Sequence, residues 1–412
     1  MPTSSPVSSP ESIAPLQPTL RWSEAGEERS ARWRSERGAP PPKRVVLADD
    51  TTSADTAYRL ACEGTALLWR GDFQNARQLL QALARRIDKP VKASKQARVE
   101  RKKAAGAAAS GVPVGQAFHL YRQAQSQRAR VLGMVLVEFG ADYSIALRRA
   151  PDAKQACTEA WGAAGEEAAC VASLRELMGV ISAHEWRKKG VEIPALGKAP
   201  NNRIHPHYGV FSPVRGEYVD LVANAPLPAN RPSKFVAFDI GTGTGVLSAV
   251  LALRDVDQVV ATDLDPRALA CARENIYRLR LPNPVKVMEA DLFPEGLASV
   301  IVCNPPWLPA RPGSPLEGAV YDEGSRMLLG FLKGLAAHLA PGGEGWLILS
   351  DFAEHLELRT RAELLAAIKD AGLKVVGRID AKPEHPKAED ATNPLHAARA
   401  AEVTSLWRLA AA

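Results

Sequence analysis

Cysteine is scarce and scattered in this chain: Cys62, Cys157, Cys170, Cys271 and Cys303 are its five thiols, and no two stand in a C-x-x-C spacing. An odd, dispersed set argues against a disulfide framework and gives no zinc-ligand pattern, so a reducing compartment is expected. Long apolar runs are missing too, none approaching the ~18 residues of a membrane span. The first twenty residues carry Ser and Pro where a secretory leader would have a basic start and an apolar stretch. These absences point to a cytoplasmic protein with no membrane partner.

What is present fits more than one domain, since 412 residues is long for a single core. Apolar residues make up 46% and charged residues 24%, ordinary globular values. The net charge of +6 is unevenly spread, with 30 Lys/Arg against 21 Asp/Glu in residues 1–200 and 22 against 25 thereafter. A basic first half hints at an anionic partner. Residues 1–50, rich in Ser, Pro, Arg and Glu and closing on Gly38-Ala39-Pro40-Pro41-Pro42, read as a disordered tail.

From Thr51 the pattern changes. Tyr58, Leu60, Ala61, Leu67 and Leu68, a break at Gly71-Asp72, then Ala76, Leu79, Leu80 and Leu83 predict a helical hairpin. Lys92, Lys95, Arg98 and Lys102 share one helical face, best read as solvated because no aromatic residue interleaves to stack on bases. Further helices are expected over 116–149 and 157–186, so residues 51–200 read as an α-helical domain. From about residue 201 the texture becomes α/β. Strands are expected at 235–239, 258–262, 285–289, 299–303, 345–350, 374–379 and 402–409, with helices between most of them and the last two open to an antiparallel pairing. Seven strands of this kind form a doubly wound sheet whose ligand site lies at the carboxyl ends.

Chemistry concentrates at those ends. The first strand runs through Asp239 into Gly241-Thr242-Gly243-Thr244-Gly245, with Val246 where a pyrophosphate-binding G-x-G-x-x-G would need glycine. Such a turn suits a cofactor with an amino-acid tail, met by Asp239 and by turn amides. The second strand ends at Asp263, placed to accept hydrogen bonds from a ribose diol, while Asp265 is expected to cap the helix opening at Pro266. The third delivers Asp291 for an adenine amino group and Leu292 to pack on its ring. One such acid is commonly a helix cap or a surface carboxylate; three at successive strand ends form a pattern.

The fourth strand delivers Asn304-Pro305-Pro306-Trp307. Two prolines fix an extended backbone and remove two donors, leaving the Asn304 oxygen and a proline carbonyl as acceptors for an NH2 group. Trp307 is expected to stack on a planar substrate. His205-Pro206-His207 lacks the companion ligands of a metal site, and no metal is expected. Asp322, Glu323, Gly324 and Arg326 are candidates for a substrate rim, and Arg215 and Glu217 for pocket residues.

Taken together, Asp239 through Gly245, Asp263, Asp291-Leu292-Phe293 and Asn304 through Trp307 resemble the class I methyltransferases that act on nitrogen, nearest the HemK-type glutamine methyltransferases of the methyltransferase small-domain group. The resemblance covers about residues 205–412. It implies S-adenosyl-L-methionine as cofactor and a preceding helical domain that holds a macromolecular substrate. Protein glutamine is the first substrate implied, with adenine N6 or guanine N2 of RNA as the alternative. A catalytically silent scaffold is a third reading, disfavoured because Asn304 and the three acids are intact. HemK-type enzymes usually carry Tyr where this chain has Trp307, and the Arg215 segment is offset by a residue from the family's proline-arginine-acid segment.

Overall fold

A computed structural model of the chain describes residues 18–88, 114–165, 169–230, 232–383 and 393–412. The chain divides into two compact units, the first drawn from Met1–Arg86, Val131–Asp152 and Ala164–Glu176, the second from the remainder.

The first unit is built on a sheet. Its strands are β1 Thr19–Glu24, β2 Glu27–Trp33, β3 Arg44–Ala48, β4 Thr65–Trp69, β5 Val135–Phe139 and β6 Cys170–Ser173, in the order β1-β2-β6-β5-β4-β3. Strands β3, β4 and β5 run parallel, while β1 and β2 form a hairpin closed by Ala25 (φ 54) and Gly26 (φ 83). Two left-handed residues in a two-residue loop match the right-handed twist of the flanking strands. Alternation buries Leu20, Trp22, Ala31 and Trp33 on one face.

This corrects the sequence reading. Residues 18–50 are not a tail, because the β1–β2 hairpin has its inward apolar residues interleaved with charges that hide it from composition. Nor is the segment after Thr51 all-helical. Helix α1 Ala54–Cys62 and helix α2 Phe73–Asp88 exist, but Leu67 and Leu68 lie in β4 between them. All five β4 residues are buried, and a strand covered on both faces reads as an unbroken apolar run with no period of two. Likewise the helices expected over 116–149 and 157–186 are α3 Val114–Leu132, α4 Lys154–Trp161 and α5 Leu174–Lys189, with β5 and β6 in the remaining length. Residues 1–17 of the expected tail, and Lys92, Lys95, Arg98 and Lys102, lie outside the described residues.

The second unit carries α4 and most of α3 and α5 ahead of a short antiparallel pair, β7 Val191–Glu192 and β8 Arg203–Ile204. It then follows the expected α/β alternation: α6 Glu217–Asn224, β9 Val236–Ile240, α7 Val246–Ala252, β10 Gln258–Asp263, α8 Pro266–Leu279, β11 Val285–Glu289, β12 Ala298–Cys303, α9 Pro315–Gly318, α10 Arg326–His338, β13 Leu339–Ser350, α11 Phe352–His355, α12 Arg361–Asp370, β14 Leu373–Ala381, α13 His396–Ala401 and β15 Thr404–Ala411. The seven strands take the order β11-β10-β9-β12-β13-β15-β14, with β15 antiparallel to both neighbours. Period-two alternation feeds two cores. Val300, Val302, Trp346 and Ile348 meet α6 and α7 on one face; Ile301, Cys303, Leu347 and Leu349 meet α10 and α12 on the other.

Strand order reverses at β9, which pairs with β10 on one side and β12 on the other. A doubly wound sheet opens a crevice at such a point, outside the carboxyl ends. The ends of β11, β10, β9 and β12 therefore stand side by side, bringing Asp291, Asp263, Gly241 and Asn304 to a common edge.

Candidate active site

A cavity of about 830 Å³ occupies that edge. Of the residues singled out in the sequence, Gly241, Thr242, Asp263, Asp291, Leu292 and Asn304 through Trp307 line it, as do Arg215, Asp322 and Arg326. Asp239, Gly243, Gly245, Glu217, Glu323 and Gly324 do not.

The turn after β9 is held from behind. The Gly241 and Thr242 N–H groups both donate to the Thr262 carbonyl at 2.9 Å, tying the turn to β10. Gly241 adopts φ 71, and an added Cβ would collide with the Met327 methyl. Asp239 is 1% exposed. Its Oδ2 accepts hydrogen bonds from Thr242 Oγ1 at 2.7 Å and Ser248 Oγ at 2.6 Å, and burial pushes its carboxyl above the ordinary range. The carboxylate thus braces the turn against α7. Asn275, fully buried on α8, donates to the Thr244 carbonyl at 3.0 Å and clamps the same turn from the far side.

Asp263 stands at the cavity wall. Its two oxygens accept the N–H groups of Gly243 and Asp265, each at 3.0 Å, and burial raises its carboxyl. Asp265 caps α8 through Arg267 N–H at 2.8 Å, with Pro266 at the first helical position, as its sequence context implied. Asp291 is exposed, 3.7 Å from the Arg326 guanidinium. Leu292 takes φ 70, held there by Thr262 Oγ1, which donates to the Leu292 carbonyl at 2.6 Å.

After β12, Asn304 and Trp307 meet: the indole Nε1–H donates to Asn304 Oδ1 at 2.9 Å. An indole nitrogen only donates, so this hydrogen bond fixes which end of the Asn304 amide is oxygen. One lone pair is committed and one remains. Trp307 packs against both cores at the sheet edge, and the Arg215 guanidinium lies 5.3 Å from its ring centroid. The chain from Leu308 folds back to pair with Tyr321, and Asp322 Oδ2 accepts the Met327 N–H at 2.8 Å, capping α10 beside the cavity.

His205 and His207 are absorbed into a polar network: His205 Nδ1 sits 2.7 Å from the Arg187 carbonyl, and His207 Nε2 sits 2.7 Å from Glu274.

The chain's residues 201–367 match the family model described as methyltransferase small domain. A protein of Methanocaldococcus jannaschii that carries the provisional name protein N5-glutamine methyltransferase is 30% identical over 145 residues, covering 33% of this chain and 70% of that protein. The chain belongs to the methyltransferase small-domain family. Within it, the release factor glutamine methyltransferase of Deinococcus radiodurans is 34% identical over 163 residues, 36% of this chain and 55% of that protein. The tRNA1(Val) (adenine(37)-N6)-methyltransferase of Shewanella amazonensis is 30% identical over 128 residues, 29% of this chain and 55% of that protein. The chain spans about half the length of the curated relatives it matches.

Beyond what the family's motifs mark, the cavity wall of this small-domain member includes residues that sequence reasoning passed over. Phe211, Val214, Tyr321, Phe352, Arg399 and Glu402 all line it. Glu402 offered no signal, being a single acid ahead of a strand; it becomes a site residue only because β15 returns between β13 and β14. Ser350, the last residue of β13, donates its hydroxyl to Glu402 at 2.8 Å while accepting the Phe352 N–H at 3.0 Å.

Proposed function

We propose that this chain transfers a methyl group from S-adenosyl-L-methionine to a planar NH2 group, a protein glutamine side chain first. The observation that carries the reading is the Asn304 amide, its oxygen fixed by the Trp307 N–H at 2.9 Å, on the wall of the cavity that Gly241 and Asp263 also line.

The donor set fits the cofactor. Asp263 presents a carboxylate held by two backbone amides, the acceptor a ribose diol needs. Leu292 and exposed Leu264 offer apolar surface for an adenine ring, with Asp291 as acceptor for its amino group. The Gly241 turn admits close approach of a ligand at a position where a Cβ has no room. Asp239, buried behind the turn, keeps it in shape. When bound, S-adenosyl-L-methionine supplies an already activated methyl, so the protein's share is binding and orientation. The free lone pair of Asn304 Oδ1 and the Pro305 carbonyl accept the two hydrogens of an NH2 group. That aims the nitrogen lone pair out of the amide plane and stabilises positive charge developing on nitrogen. The preceding domain is read as the part that holds a macromolecular substrate.

The test is incubation of the purified protein with methyl-labelled cofactor and a cell extract, followed by ribonuclease or protease. Label released only by protease, and recovered as methylglutamine after digestion, is expected. Label released by ribonuclease moves the substrate to an RNA base, and absence of any label refutes the enzymatic reading.

A further inference from the structure

The cavity holds one arrangement that the methyl-transfer reading leaves unused. Arg215, on the loop before α6, has a side chain only 21% exposed. Its Nε donates to Glu217 at 2.9 Å and its Nη2 to Glu402 at 3.2 Å, and Glu402 is anchored in turn by the Ser350 hydroxyl. Three stretches far apart in sequence, the start of α6, the end of β13 and the approach to β15, thereby converge on one guanidinium. That guanidinium faces the Trp307 ring, and Trp307 holds the Asn304 oxygen.

We propose that Arg215 is a positioning residue that acts through Trp307 on the Asn304 amide. The proposal rests on the N-methylation reading of the site. Packing against the two cores limits how far the Trp307 side chain, four residues beyond β12, can turn, and the contacts of its edge and face set the orientation it keeps within that packing. Here the edge donates to Asn304 and the face meets a cation, which is itself attracted to the ring quadrupole. Two carboxylates hold the guanidinium beside the indole ring and more than offset its charge, so it orients the ring and does not draw in an anion. Without Arg215 the indole, still packed against the two cores, tilts within that packing and its N–H leaves the line to Asn304 Oδ1. The Asn304 amide then turns over readily, presenting NH2 to a substrate NH2, donor against donor. A tyrosine at 307 would not impose this, because a phenol both donates and accepts. The arrangement therefore ties Trp307 and Arg215 together as a pair.

A double-mutant cycle of Arg215→Met and Trp307→Phe tests it, using the full chain, labelled S-adenosyl-L-methionine and cell extract as methyl acceptor. Arg215→Met is expected to lower the maximal rate about tenfold, the worth of a well-ordered cation–π interaction in the transition state. The half-saturating extract concentration and the cofactor dissociation constant stay within about twofold. In the Trp307→Phe background the same change has no further effect, since the two act as a unit. Arg215→Lys, which keeps charge without the planar fork, recovers only part of the rate. Losses that multiply across the cycle, or a cofactor affinity that falls with the rate, overturn the proposal. A second readout does not depend on turnover: the indole 1H–15N resonance of Trp307, assigned by its disappearance in Trp307→Phe, shifts in Arg215→Met. An unmoved resonance refutes the positioning role even if the wild-type chain transfers no methyl, an outcome that by itself counts only against the N-methylation reading.

Discussion

At the scale of single residues, Asn304 and Asp239 show how neighbours decide what a polar group does. Both end strands in the same sheet, yet one faces the cavity and the other is sealed behind it. On the proposed reading, Asn304→Ala removes an acceptor for the substrate while leaving Asp263 and Gly241 untouched. Methyl transfer to cell extract should fall by about 100-fold or more, the usual loss when an electrostatic stabiliser is deleted. Calorimetry should find the cofactor dissociation constant unchanged within about twofold. A parallel loss of cofactor binding would show that Asn304 belongs to the cofactor subsite.

At the scale of elements, the β9–α7 turn and the face of α8 make opposite demands. Gly241→Ala puts a side chain at φ 71 against Met327 and should destabilise the chain by about 1–3 kcal/mol in denaturant titration. Adding Met327→Ala removes the collision but not the backbone strain, so only part of the loss should return; full recovery would mean the strain is negligible. On α8, Glu274 is partly buried, which raises its carboxyl, but hydrogen bonds from Arg278, His207 and Arg187 outweigh this and bring it down to about 2. A depressed folded-state value contributes stability that is complete above the ordinary 4.5 and disappears as pH falls through about 2. Wild type and Glu274→Gln should differ in unfolding midpoint at neutral pH and converge in acid. A difference constant across that window would assign the effect to packing.

Elements also set what could be read beforehand. Strands β9 to β12 and their tips were legible because each apolar run stops at an acid, a glycine turn or a double proline, local marks that need no tertiary partner. The Arg215, Ser350 and Glu402 bracket was not legible, since its members are joined only by the antiparallel return of β15. Strand β4 was hidden for the converse reason: burial on both faces erased the alternation that would have marked it.

At the scale of the whole molecule, two units with separate cores should respond separately to ligand. S-adenosyl-L-methionine at 100 times its dissociation constant stabilises whatever binds it by about 2.7 kcal/mol. Hydrogen exchange should therefore slow at the turn from Gly241 to Gly245 and along β9 to β12, and remain unchanged in β1 to β6. Equal slowing in both sheets would place a second ligand-responsive site in the first unit.

The first unit's sheet also carries a consequence for how the chain is made. Its strand β6, which joins the β1–β2 hairpin to β5, ends at Ser173, after the chain has twice left this unit and returned. During vectorial synthesis the hairpin emerges first and must wait for well over a hundred further residues before its docking strand appears. Until then the edge of β2 at Arg32 and Trp33 has no strand to pair with, so the nascent chain is exposed to edge-to-edge aggregation in that interval, and a ribosome stalled before Cys170 should display a fragment that chaperones hold and proteases cut.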